Sequence, residues 1–303
     1  MNLLLGALAV GLMWALLSLG TFLSFRVFRS LDLTTEGAFV TGGSVACALL
    51  VRGMSPPAAT ALGALAGAGA GALTGIIHTR FRVDVVLAGI LVMTALYSVN
   101  YWTMGGGNLP LAGHATVFEQ AAGLVGGEDP TGLRRDLIGV VVLALVVGIL
   151  VLVLSAFATT DLGLALRATG SSPRMARACA IDTGLATIIG LALANAFTGL
   201  SGALFAQYQG SAGVQMGVGM IVVGLASVIL GEALFPRRTI RRRIVAAALG
   251  AVAFRLLVAA AIRAGLDATA LKLVTAAFVL AALTVPAAVR RLLQARRSRV
   301  AHG

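Results

Sequence analysis

Long apolar runs separated by short connections that carry arginine give this chain its pattern. A hydrocarbon core about 30 Å thick takes roughly 20 apolar residues in helical form. That ruler predicts nine spans, at about residues 3–25, 34–51, 56–78, 84–103, 137–158, 184–206, 213–234, 244–262 and 269–288. The expected fold is an all-α, polytopic membrane protein of about nine transmembrane helices, some of them broken, forming one domain over residues 1–303. The first apolar run continues past Gly20 toward Phe25 without a basic start, so it is expected to be a retained span and not a cleaved leader.

Between the fifth and sixth spans lies a polar, basic island from Asp161 to Thr183, DLGLALRATGSSPRMARACAIDT. Leu162, Leu164 and Leu166 lead to Gly170, placed to end a first short helix in the left-handed conformation. Ser172 can then cap a second helix with Pro173 at its first position. Arg174 and Arg177 are three apart and Met175 and Cys179 four apart, which sets a charged edge beside an apolar one. Small residues at Gly170 and Ala176 would allow close contact. A helix-break-helix knob of this kind suits docking into a groove on another protein; a basic loop that only fixes orientation is the alternative.

Polar residues interrupt the apolar runs in two further places. In LDLTTEGAF, Asp32 or Thr34 can cap a helix starting near Thr35, with Glu36 near the positive end of its dipole. In QYQGSAGVQMGVGM, Gly210, Gly213, Gly217 and Gly219 alternate with Gln207, Gln209 and Gln215. That is the pattern of a broken helix lining a cavity, or of a polar turn between two separate helices. The two interruptions enter from opposite sides. Asn100, an amide inside a span, calls for a protein partner or the pathway, while Tyr97, Tyr101 and Trp102 fit an interfacial aromatic belt. Gly63, Gly67, Gly71 and Gly75 form a four-residue ladder that lets helix backbones approach closely, within one subunit or between two. The connection from Met104 to Asp136, with Glu119, Glu128, Asp129, Arg134 and Arg135, is the longest on its side.

Composition narrows the class. The chain is 59% hydrophobic and 11% charged, with a mean hydropathy of +0.98, so lipid is its main solvent. Its formal charge of +12 resides mostly in short connections and the basic tail at 289–303, which argues for membrane orientation and against nucleic acid. With the knob placed in the cytosol, seventeen arginines share its side and only Arg52, Arg134, Arg135 and Arg263 lie opposite. The N-terminus is then expected outside and the C-terminus in the cytosol. Within the spans, Lys272 can snorkel, Glu232 can reach the arginines after Pro236, and Arg255 has no evident acidic partner. His78 reads as a satisfied interfacial residue. Cys47 and Cys179 fall in a span and in the knob, too far apart in the predicted layout for a disulfide. No phosphate-cradling glycine loop, metal-ligand cluster or nucleophile-base pair is evident, so neither enzyme activity nor a cofactor is expected.

The segment LRATGSSPRMARACAID resembles the cytoplasmic coupling loop of ABC-importer permeases, in the branch that serves ribose and branched-chain amino acids. LDLTTEGAF resembles the DLSVGS-type or NFAHGE-type signature of that branch at Asp32, Glu36 and Gly37. GLSGALFAQYQGSAGVQMGVGMIVVGLASVILGEALF is similar to a subgroup of branched-chain or aromatic amino-acid type permeases. Compared with longer members, one N-terminal span is expected to be missing.

The resemblance implies a bacterial inner-membrane permease subunit that moves a small polar solute, an amino acid or alternatively a sugar or nucleoside. Its implied partners are an ABC ATPase subunit, which would hydrolyse ATP, an extracytoplasmic solute-binding protein, and a second permease subunit in a homodimer or heterodimer. Residues 159–183 become the cytosolic coupling loop, contacting the ATPase through Arg167, Gly170, Arg174, Met175, Ala176 and Arg177. Asp32, Glu36, Asn100, Gln207, Gln209 and Gln215 become candidates for the solute pathway. From another class, an ion-coupled secondary transporter would also use broken helices.

Overall fold

The computed structural model describes residues 3–126, 133–235 and 239–263. The predicted span at 269–288, Lys272, Arg237, Arg238 and the basic tail lie outside the described residues, as do Glu128 and Asp129 of the long connection. Eight of the nine predicted spans are present as apolar, mostly helical segments long enough to cross a membrane, the one at 214–234 only with its leading 3-10 turn counted. The architecture is all-α apart from one small ribbon.

Helix α1 (Leu3–Phe22) passes into a π-helical turn at Leu23–Val27, and α2 (Thr34–Val51), α3 (Pro56–Phe81) and α4 (Val85–Met104) follow. Strand β1 (Asn108–Pro110) and α5 (Val117–Gly126) occupy the next connection, before α6 (Leu133–Phe157). The knob is α7 (Asp161–Ser171) and α8 (Pro173–Ala178). Then come α9 (Thr183–Gln209), β2 (Ser211–Gly213), a 3-10 turn at Val214–Gly217, α10 (Met220–Leu234) and α11 (Ile240–Arg263).

Helix α9 is the post around which the rest is arranged, with α1, α2 and α3 packed along it. The contacts are backbone-close because glycines face them. A methyl group at Gly67 would lie 2.5 Å from the Asn195 carbonyl oxygen and one at Gly75 2.7 Å from Ile188 Cα, while Gly71 abuts the Leu191 carbonyl. Gly63 and Gly42 meet each other, and Gly42 also meets Gly199. The predicted glycine ladder thus joins α3 to α2 and α9 within one subunit, replacing side-chain bulk with dispersion contacts between backbones. Helices α4 and α6 lie at the periphery, with Leu87, Leu91, Leu145 and Leu152 exposed toward the lipid-facing side.

Two predicted spans begin deeper than the apolar pattern indicated. Asp32, just before α2, contacts Asn195, which is 12 residues from Thr183 and 14 from Gln209, the ends of α9. Since α2 runs parallel to α9, from Asn195 toward Ala206, it starts at mid-depth and crosses only the second half. Helix α10 runs the other way. Met220 packs with Leu17 and Phe39, Gly224 meets Thr21, and Glu232 reaches Arg26. The predicted span at 213–234 is therefore a helix of 15 residues, about 22 Å at 1.5 Å per residue, preceded by non-helical backbone.

Candidate solute pathway and coupling knob

Position by position, the chain turns at mid-depth because its residues satisfy the backbone groups that such a turn exposes. Asp32 Oδ1 accepts from Thr34 N at 3.0 Å beside the start of α2, whose N-cap is Leu33 and not the Asp32 or Thr34 expected from sequence, and Asp32 Oδ2 accepts from Asn195 Nδ2 at 2.6 Å. The Thr34 and Thr74 hydroxyls are 2.6 Å apart. Asp32, Thr34, Thr74 and Asn195 are all buried, a polar cluster joining α2, α3 and α9. The second interruption is bounded by Gly210 (φ +76°) and Gly219 (φ +86°), left-handed positions that glycine takes without steric cost. Between them β2 pairs antiparallel with β1, Asn108 opposite Gly213 and Pro110 opposite Ser211.

The two interruptions meet. Glu36 Oε1 accepts from Gly219 N at 2.9 Å, so a carboxylate in the first turn of α2 also caps the start of α10. Beside this contact a cavity of about 270 Å³ is lined by Glu36, Val40, Thr94, Tyr97, Asn100 and Val218, among others. Asn100 is buried; its Oδ1 accepts from the Ser44 hydroxyl at 3.1 Å and its Nδ2 points to the Gly37 carbonyl at 3.5 Å. It therefore has protein partners and borders the cavity as well. Tyr97, assigned from sequence to the aromatic belt, lines the same space.

The glutamines divide. Gln207 is buried, donating to Thr60 Oγ1 at 2.8 Å and accepting from Val117 N at 3.0 Å, which clamps α3 and α5 to the end of α9. Gln207 and Gln209 line a second, larger cavity of about 1170 Å³ beneath the β1–α5 connection. Gln215, in the 3-10 turn, is exposed and lines neither cavity. Asp32 lies behind the first cavity, not on its wall.

In the knob, Ser172 Oγ accepts from Met175 N with Pro173 at the first helical position, as predicted. Gly170 corrects an expectation. It is helical, not left-handed, because α7 continues through Ser171 and the glycine gives the Val27 carbonyl room to approach. Ala176 is buried. Both small residues thus pack inward, and the outward face is Arg174, Met175 and Arg177 with Leu162 and Leu164; Arg167 is half-buried. The Phe28 ring sits directly over Gly190, so the segment against Gly170 is also wedged on α9.

Glu232 pairs with Arg26, in the π-helical turn that follows α1; the expected contact with the arginines just after Pro236 falls on Arg237 and Arg238, outside the described residues. His78 Nδ1 lies 2.7 Å from the Val83 carbonyl, in keeping with a satisfied residue. Cys47 is buried and Cys179 exposed, and both are free. Among the described residues no three His, Cys, Asp or Glu side chains come together to hold a metal.

Asn195 was missed from sequence although NAFTGLSG carried the same signal as Asn100, an amide inside an apolar run. Helix α5 was missed too. Thr116 and Glu119 form a reciprocal capping box at its start, Thr116 N to Glu119 Oε2 at 3.0 Å and Glu119 N to Thr116 Oγ1 at 3.3 Å.

Residues 3–285 match a family described as "Branched-chain amino acid transport system / permease component". The chain is 33% identical over 263 residues to the tyrosine transport system permease protein of Clostridioides difficile (strain R20291), covering 86% of this chain and 84% of that one. It is 31% identical over 235 residues to the uncharacterized protein RP368 of Rickettsia prowazekii (strain Madrid E), covering 78% and 79%. No solved structure matches.

Proposed function

Since the chain belongs to the family of permease components of branched-chain amino acid transport systems, we propose that it imports an amino acid, with the relative's tyrosine making an aromatic one the first candidate. As a permease component it is a multi-pass membrane protein and not an enzyme; ATP hydrolysis belongs to a separate subunit. In the proposed assembly it resides in the bacterial inner membrane, N-terminus outside, and pairs with a second permease subunit. It receives solute from an extracytoplasmic binding protein and docks an ATPase on Arg174, Met175 and Arg177.

The observation that carries this reading is the short physical route from knob to mid-membrane. Gly170 abuts Val27, the Val27–Leu33 segment leads into Asp32 and α2, and Glu36 holds the start of α10. Movement of the knob would act on the turn from which α2 rises, beside the cavity that Glu36 and Asn100 border. An ion-coupled transporter has no need for an exposed docking face tied to that turn.

The test is co-expression with the candidate ATPase subunit. Met175→Glu places a carboxylate in the apolar part of the docking face; because an unpaired charge buried in a contact costs several kcal/mol, ATPase co-purification and uptake should both be lost while the permease itself stays folded. Ala176→Glu places the same charge inside the knob, so it should lower permease stability as well. If Met175→Glu retains full ATPase binding and uptake, the knob is not the docking site.

A further inference from the structure

The larger cavity contains a cation that the proposed route past Glu36 and Asn100 does not use. Arg255 is on α11, 15 residues from Ile240 and 8 from Arg263, so at 1.5 Å per residue its Cα is about 12 Å inside the far end of the helix. A charge at such depth is costly and marks a site or a partner. No carboxylate pairs with it among the described residues. Its guanidinium stacks over Trp14 of α1, 5.1 Å from the ring centroid, and both residues line the cavity with Phe118, Tyr208, Gln209 and His114.

Stacking on a ring face balances the charge but leaves the donors unused. Among the described residues Arg255 Nε is buried without a hydrogen-bond partner, and so is Trp14 Nε1. A buried donor left unpaired is destabilising, and here two of them occur on neighbouring side chains of one cavity. Both are donors only, so what satisfies them must be an acceptor, and the positive charge selects a negative one. The walls supplied by Phe118, Tyr208 and Trp14 are aromatic. At about 1170 Å³ the space exceeds what a lone inorganic anion needs.

We propose that this cavity, on the β1–α5 side of the subunit, is a binding site for an amphiphilic oxyanion, its carboxylate or phosphate oxygens held by Arg255 and Trp14 and its apolar body against Phe118 and Tyr208. The site is separate from the cavity at Glu36 and Asn100: none of its lining residues is shared with that one. Two sources offer the chemistry, a carboxylate solute from the aqueous side or the headgroup of an anionic phospholipid.

The chain's two tryptophans are Trp14 and Trp102, so Trp102→Phe leaves Trp14 as the sole reporter beside Arg255. The protein is placed in phosphatidylcholine nanodiscs and titrated with phenylacetate and, separately, with its neutral isostere phenylacetamide. A parallel sample contains phosphatidylglycerol in place of part of the phosphatidylcholine. Trp14 emission should change saturably with phenylacetate and not with phenylacetamide, and Arg255→Gln should weaken the apparent affinity at least tenfold, with Arg255→Lys intermediate. A response to phosphatidylglycerol that phenylacetate cannot evoke would keep the anion site and assign its ligand to lipid. Equal responses to acid and amide, or none to either anion, would overturn the proposal, and this comparison needs no variant at Arg255.

Discussion

Asp32 and Asn195 illustrate how one residue pair fixes a turn where water is absent. The Asp32 carboxyl accepts from Thr34 N on one oxygen and from Asn195 Nδ2 on the other, and it has no salt-bridge partner among the described residues. Asn195→Leu removes the second donor and leaves a buried oxygen unpaired, at a cost of about 1–3 kcal/mol. The melting temperature in detergent should fall. Adding Asp32→Ser, which keeps an acceptor for Thr34 N but withdraws the stranded oxygen, should restore part of the loss. A double variant no more stable than Asn195→Leu alone would show that the pair is not the source of the cost. Asp32 and Glu36 were legible as polar residues at a helix start, although the N-cap of α2 is Leu33 and the contact of Glu36 with Gly219 N could not be read from sequence. Their depth was not legible, because it depends on which residue of α9 they face, a long-range contact that no local pattern records.

Among the elements, what the sequence made plain was every apolar helix that is periodic only in its length, together with the knob's break at Ser172–Pro173. What it hid were inward and outward faces. Gly170 and Ala176 read from sequence as part of the docking surface, whereas the contact of Gly170 with Val27 and the burial of Ala176 turn both toward packing. The ribbon of β1 and β2 was hidden for another reason: its strands are 103 positions apart at Asn108 and Ser211, three residues each, and too short for alternation to register. Helices α2, α3 and α9 form the closest-packed group, joined at Gly42, Gly63, Gly67, Gly71 and Gly199. With backbones this close there is no side-chain layer to slide, so the three should move as one body. Spin labels at exposed Leu65 on α3 and exposed Leu185 on α9 should keep their distance, within the label's own spread, between nucleotide-free and ATP-bound assemblies. A change of several ångströms would refute the single-body behaviour.

For the whole molecule, the proposed orientation rests on the arginine bias, and the chain carries its own reporter. Cys179 is exposed on the knob whereas Cys47 is buried. In intact cells a membrane-impermeant thiol reagent should leave the native protein unlabelled and should label Gly113→Cys, on the opposite side in the β1–α5 connection; permeabilised cells should show Cys179 labelled. Labelling of the native protein from outside would reverse the topology. Finally, the meeting of α2 and α10 has an electrical consequence. Two helix N-termini converge at mid-depth, each equivalent to roughly +0.5 elementary charge. Glu36 belongs to the first turn of α2 and accepts from the amide of Gly219, the residue that leads into α10. Two half-charges at mid-depth offset about one full negative charge, so beside the proposed solute route the Glu36 carboxylate is balanced by helix starts and needs no basic side chain next to it.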